Sequence, residues 1–340
     1  MTQHRHTIPK GANQTASVTD PDLTPYAKTG ALISEAQARM DGDSAIATAM
    51  ALLAGRVTAL EHSAPTPPTT KSVPVTSIPT LLSALADDTV DEIVLANGTY
   101  LVDGATAQTA KSLYIGAAFA SRTRPILVRA ATTGGVILDG GGMTYFDALA
   151  FEGGAHDQTW QGFTFAHGTP TQTGVILFGG YAGLAAPHHI TLRDIATAGS
   201  VVSTGTGATD HAIYFAQAVG GPHDILIDGY TVDGSGGVNT ALHFYHSDAS
   251  NRNAWNVTVK NMTVTGTREA VVLWDPTLLN ILIEDSTITG AIDYAVRYET
   301  VGASGIILRN VVSTASGGKG FYSSEGLAPA GVTFDGCSLA

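Results

Sequence analysis

Apolar and polar residues alternate in short runs over much of the chain, and the runs recur. ILVRAATTGGVILDG begins at residue 126, QTWQGFTFAHG at 158, ITLRDIATAGS at 190, ILIDGYTVDGS at 225, VTVKNMTVTGT at 257, ILIEDSTITGA at 281, IILRNVVSTAS at 306 and VTFDGCSLA at 332. Successive starts lie 32, 32, 35, 32, 24, 25 and 26 residues apart. Period-two alternation sends every second side chain to one face, so each run predicts a strand with one buried face. The fifth position of the last seven runs is Gly162, Asp194, Gly229, Asn261, Asp285, Asn310 and Gly336. These residue types accept a tight bend, which predicts a corner in every repeat. A second apolar run falls between them: GVILF (174–178), AIYFA (212–216), ALHFY (241–245), AVVLW (270–274), AVRYE (295–299) and GFYSS (320–324). Two or three short strands per repeat of this length predict an all-β parallel β-helix, a solenoid.

The period changes upstream. Ile46, Met50, Leu53, Val57 and Leu60 recur at steps of four and three, a heptad seam. Gly42 and Gly55 each weaken the helix by about 1 kcal/mol relative to Ala, so it needs partner chains on that seam. Arg56 and Glu61 flank the last apolar layer at positions where an inter-chain ion pair forms. The chain therefore divides into a polar segment (1–30), a coiled coil (31–61), a Pro-rich linker (62–77) and the β-helix with its N-terminal cap (78–340). IPTLLSALA at 78–86 fits a short capping helix that covers the first open strand edges.

Composition narrows the function. Among 340 residues, 17 Lys+Arg stand against 29 Asp+Glu, for a net charge of -12. That balance speaks against nucleic-acid binding through phosphate neutralisation. No apolar run is long enough to span a membrane, and the first residues carry no secretory h-region. One cysteine, Cys337, excludes an internal disulfide framework and is expected to be buried in a repeat.

ALADDTVDEIVLANGTYLV followed by RPILVRAATTGGVILDGGG resembles the start of pectate-lyase-like right-handed parallel β-helix proteins, over residues 78–340. That superfamily holds polysaccharide lyases, glycoside hydrolases and phage tailspikes. The heptads and the RVTALE end of the helix resemble the shafts of phage tail fibre and minor tail proteins. Together the resemblances imply a homotrimeric virion tail protein, extracellular when acting. It would join other tail proteins through its N-terminus and recognise a bacterial surface polysaccharide, with degradation of that polysaccharide left open. A free polysaccharide lyase or hydrolase is the alternative, and a purely structural tail component the second.

Aligning the second strands on Gly174, Ala212, Ala241, Ala270, Ala295 and Gly320 places Ile176, Tyr214, His243, Val272, Arg297 and Tyr322 in one outward column. Phe178, Ala216, Tyr245, Trp274, Glu299 and Ser324 form the next. Aromatic faces beside carboxylates and hydrogen-bond donors suit sugar rings. Tyr214, Tyr245, Trp274, Asp275, Glu299 and Tyr322 are the candidate ligand-binding residues. His243, Arg297 and Glu269 are the candidate catalytic ones. A lyase would use His243 or Tyr214 as base and Arg297 or Arg268 to neutralise a uronate carboxylate; a hydrolase would draw two carboxylates from Glu269, Asp275 and Glu299. No metal site or cofactor is read from the sequence, with a divalent cation such as calcium left open for the lyase. His188-His189, after Pro187, reads as a turn.

Overall fold

The computed structural model describes residues 71–340 apart from 103–112, 116–120, 145–146, 171–173, 180–183, 203–209, 217, 246–252, 300–301, 315–316, 318 and 325–330. The expected attachment segment (1–30), coiled coil (31–61) and the linker to residue 70 lie outside these residues.

The described residues fold as parallel strands, with one α-helix and one 3-10 turn among them. The helix, Ile78–Ala86, forms where the sequence predicts it. Ser77 caps its N-terminus by accepting from the Thr80 amide, and Pro79 sits in the first turn, where no N–H is needed. Ile78, Leu81, Ala84 and Leu85 are buried, so one stripe of the helix closes the core. Buried Arg122 donates to the carbonyls of Leu85 (2.9 Å), Asp87 (2.8 Å) and Val90 (2.7 Å), satisfying acceptors the helix end leaves open.

The linker ends earlier than expected. Ser72–Val75 is a strand paired in parallel with Glu92–Leu95. Pro74 is tolerated there because, among the described residues, Ser72–Val75 pairs with this one strand, leaving one edge that needs no donor.

Each strand pairs with its counterpart one repeat away, which is the pairing of a parallel β-helix. One sheet has eight strands: Tyr114–Ile115, Leu149–Phe151, Gly174–Phe178, His211–Phe215, Thr240–Tyr245, Glu269–Trp274, Tyr294–Tyr298 and Lys319–Ser323. The recurring runs supply the larger, seventeen-stranded sheet, for example Trp255–Lys260 between His223–Asp233 and Leu279–Glu284.

Register turns the alternation into stacks. Leu149, Ile176, Ile213, Leu242, Val271 and Val296 form one inward column of the eight-stranded sheet. Phe151, Phe178, Phe215 and Phe244 form the next, with ring centroids 5.1, 4.7 and 4.4 Å apart and planes within 13°. All four phenylalanines are fully buried, each stabilising the fold by about 2–3 kcal/mol.

The corners appear where the sequence places them. Gly162, Asp194, Gly229, Asn261, Asp285, Asn310 and Gly336 all have positive φ. Asn261 Nδ2 bonds Asp228 Oδ1 (2.7 Å) and Asn310 Nδ2 bonds Asp285 Oδ1 (2.9 Å), so neighbouring corners also support each other. A second left-handed column directly precedes the runs: Asp157, His189, Asp224, Asn256, Asn280 and Gly305. Cys337, expected to be buried, is half-buried, its sulfur 3.2 Å from the Leu308 carbonyl. Its strand neighbourhood pairs with a preceding repeat only, which covers one side.

Candidate functional site

Three outward columns cross the eight-stranded sheet. The first runs His211, Thr240, Glu269, Tyr294, Lys319. The second runs Leu177, Tyr214, His243, Val272, Arg297, Tyr322. The third includes Tyr245 and Trp274, paired residue for residue, with Glu299 following Tyr298.

The expected alignment slips at its first strand. Gly174 pairs with His211, not with Ala212, so Leu177 stands in the outward column and Ile176 and Phe178 face the core. GVILF is buried at every position, so alternation gives no signal there. Stacking of Phe178 between Phe151 and Phe215 fixes the register, and a one-residue slip would turn all four side chains over.

The sheet brings most candidate residues together. Tyr214 and Tyr245 stack at 6.4 Å between centroids, and Tyr245 meets Trp274 edge-on at 5.6 Å. Trp274 is 39% exposed, whereas Tyr214, Tyr245 and Tyr322 are half-buried. Arg297 donates to Glu269 Oε1 (2.6 Å) and Glu299 Oε2 (2.8 Å), and its guanidinium lies 5.4 Å from the Trp274 ring centroid. Burial pulls this guanidinium down, but the two carboxylates outweigh burial and hold it above its ordinary value. Arg268 pairs with Asp293 in the same way, and Lys319 lies over Tyr322 at 5.2 Å.

Beneath the aromatic row lies a histidine pair. His243 Nδ1 is 2.9 Å from His211 Nε2, and both side chains are buried. Burial lowers His211 to about 3, and burial, then His211 and Arg297, holds His243 well below the ordinary imidazole range. Both imidazoles are therefore neutral near pH 7. His243 Nε2, Thr240 Oγ1 and Arg297 Nε are buried without a hydrogen-bond partner, and all three belong to this face.

The candidate catalytic groups divide by depth. His243 and Glu269 are 4% and 3% exposed, beneath the surface a ligand meets. Asp275, expected to contact ligand, is fully buried and turned into the chain, where it accepts from the amide and hydroxyl of Thr277 (hydroxyl 2.6 Å). A short polar turn after the strand explains this, since Asp at such a position bonds the backbone two residues on. His246 and Asp248, which follow ALHFY, lie outside the described residues. Among the described residues no group of three or more His, Cys, Asp or Glu side chains is arranged to hold a metal ion.

Sequence reasoning missed two features. Tyr294, on the outward column beside Glu269, meets Tyr322 at 4.9 Å between centroids, the rings tilted by 34°. His156, His188, His223 and Trp255 form a ladder of parallel rings, 5.1, 5.0 and 4.3 Å apart. The signal was present, since each lies two residues before a recurring run.

No protein-family profile and no curated protein matches the chain. Solved structures similar to it include an alginate lyase from Paenibacillus sp. str. FPU-7, at 14% identity over 78% of this chain and 99% of that one, with a TM-score of 0.36. An endo-xylogalacturonan hydrolase from Aspergillus tubingensis matches at 12% identity over 78% and 92%, with a TM-score of 0.37. The A-module of the Azotobacter vinelandii mannuronan C-5 epimerase AlgE6 matches at 12% over 73% and 90%, with a TM-score of 0.24. The three are a lyase, a hydrolase and an epimerase of polysaccharides. Likeness at this level does not extend to activity.

Proposed function

We propose that the outward face of the eight-stranded sheet binds a polysaccharide chain. The observation that supports this best is the row Tyr214, Tyr245, Trp274, continuous over three repeats and flanked by the Glu269–Arg297–Glu299 bridge. Adjacent strands lie about 4.8 Å apart, so three rings along the axis offer a platform about 10 Å long, the scale of two sugar residues. Ring faces take the C–H surface of a sugar, and the fixed charges beside them offer hydrogen bonds to hydroxyls.

The test is affinity electrophoresis of the full chain through gels containing a panel of polysaccharides. Retardation by at least one glycan, lost in Trp274→Ala and Tyr245→Ala with unchanged circular dichroism, is the expected result. Variants that fold and are retarded like the parent would overturn the proposal.

Cleavage is a second reading, in which the protein acts as a free polysaccharide-degrading enzyme. One observation bears on hydrolysis: a single guanidinium bridges buried Glu269 and half-buried Glu299, which holds their nearest oxygens within about 8 Å and leaves Glu299 as the carboxylate of the pair nearer a ligand. Release of reducing ends that stops in Glu299→Gln tests it; no release from a glycan that binds would sink it. A trimeric, virion-borne setting rests on the heptad seam at 46–60 alone. Light scattering on the full chain against residues 71–340 tests that setting, and a full chain that is monomeric removes it.

A further inference from the structure

We infer that the polysaccharide this face accepts is uncharged. The inference rests on the proposal that the face binds glycan, and concerns which glycans fit its charges.

A uronate polymer presents one carboxylate per sugar, and each needs a cation or a metal where it docks. The face has few cations to spare. Arg297 is divided between Glu269 and Glu299, and Arg268 is held by Asp293. Releasing Arg297 toward a substrate carboxylate would strand Glu269, whose side chain is 4% exposed. The two buried imidazoles carry no charge near neutral pH. Lys319 is the remaining described cation of the face. It stands two strands beyond Glu269, about 10 Å from it, over Tyr322 and away from Trp274.

Set against these three cations are the carboxylates of Glu269, Glu299 and Asp293, two of them on Arg297 and one on Arg268. Three carboxylates offset three cations, so the face has no positive excess, and the chain as a whole stands at -12. A polyanion approaching the aromatic row finds no attracting excess of cations there, and the net charge of the chain opposes it. A calcium bridge would need convergent carboxylates, and no such group of three exists among the described residues. What the face does offer is suited to neutral sugars. Aromatic rings bind C–H surface without regard to charge, and locked ion pairs present oriented donors and acceptors to hydroxyls.

The experiment sorts the full chain against three classes in affinity gels: neutral polymers (a glucan, a galactan, a mannan), polyuronates (polygalacturonate, alginate) and a cationic one (chitosan). Each is run at low and high salt, with calcium and with EDTA. The expected result is retardation by a neutral polymer that changes less than twofold with salt and is lost in Trp274→Ala. Polyuronates should not retard the protein in either calcium or EDTA. Retardation by a polyuronate or by chitosan in preference to every neutral polymer, lost in Trp274→Ala, overturns the inference and leaves glycan binding standing. Absence of retardation by any class overturns both.

Discussion

The two sheets carry the same alternation and use it to opposite ends. On the larger sheet an outward column reads Gln161, Arg193, Asp228, Lys260, Glu284, Arg309. Its charges pair along the axis, Lys260 with Asp228 at 3.3 Å and Arg309 with Glu284 at 3.2 Å, and the cations are a third or more exposed. Such pairs are worth about 0–1 kcal/mol each and mainly keep like charges apart. On the eight-stranded sheet the outward positions hold rings, a neutral histidine pair and a carboxylate pinned beneath an arginine. Charge by itself does not mark a site on a solenoid. Charge taken out of water beside exposed aromatic surface does.

The sharpest way to break this contrast is to remove one cation from each sheet. Arg297→Leu leaves Glu269 buried without its partner and is expected to cost about 3–5 kcal/mol in urea unfolding. Lys260→Leu should cost less than about 1 kcal/mol. Equal costs would show that burial does not separate the two faces.

Acid supplies the next test. The folded state disfavours a proton on His211, while the unfolded chain takes one up near pH 6.5. Stability from this group is complete above pH 6.5 and is lost as pH falls toward the folded value of about 3. Unfolding measured between pH 6.5 and 5 should give a slope in His211→Asn that is shallower by up to about 1.4 kcal/mol per pH unit. An unchanged slope would mean that His211 takes up a proton within the fold.

The smallest effect belongs to the corners. Asn261→Val puts a β-branched residue at φ 54° and removes the bond to Asp228; a loss of about 1–2 kcal/mol is expected. Thr258→Val, three residues earlier on the strand that leads into this corner, should stay within about 0.5 kcal/mol. Matching losses would show that the bend is not what Asn261 supplies.

The coil was legible in the sequence because its two determinants are local. Alternation marks the faces, and Gly, Asn or Asp marks the bends. The second corner column was equally legible, since Asp157, His189, Asp224, Asn256 and Asn280 each stand one residue before a run. Register at Gly174 was not legible, because a strand buried on both faces carries no period. For the site, sequence grouped Tyr214, Tyr245, Trp274, Arg297 and Glu299 correctly as neighbours. It could not tell that Arg297 is already occupied, that His243 and Glu269 lie below the surface, or that Asp275 turns inward. Those facts depend on where long side chains lean between strands and on what packs over them, and neither has a sequence period.

One consequence follows from the pairing of each repeat with only the repeats before and after it. The described coil is in effect a one-dimensional array, whose cohesion is a sum of nearest-neighbour terms. A defect in one turn of such an array is not averaged over the whole; it becomes a fracture plane. Damage at Asn261 would divide a helix-capped segment, able to persist, from a shorter C-terminal remainder that unravels first. The aromatic row straddles that plane, with Tyr245 on one side and Trp274 on the other. Glycan bound across both would act as a clasp, holding the two segments together where the array is weakest.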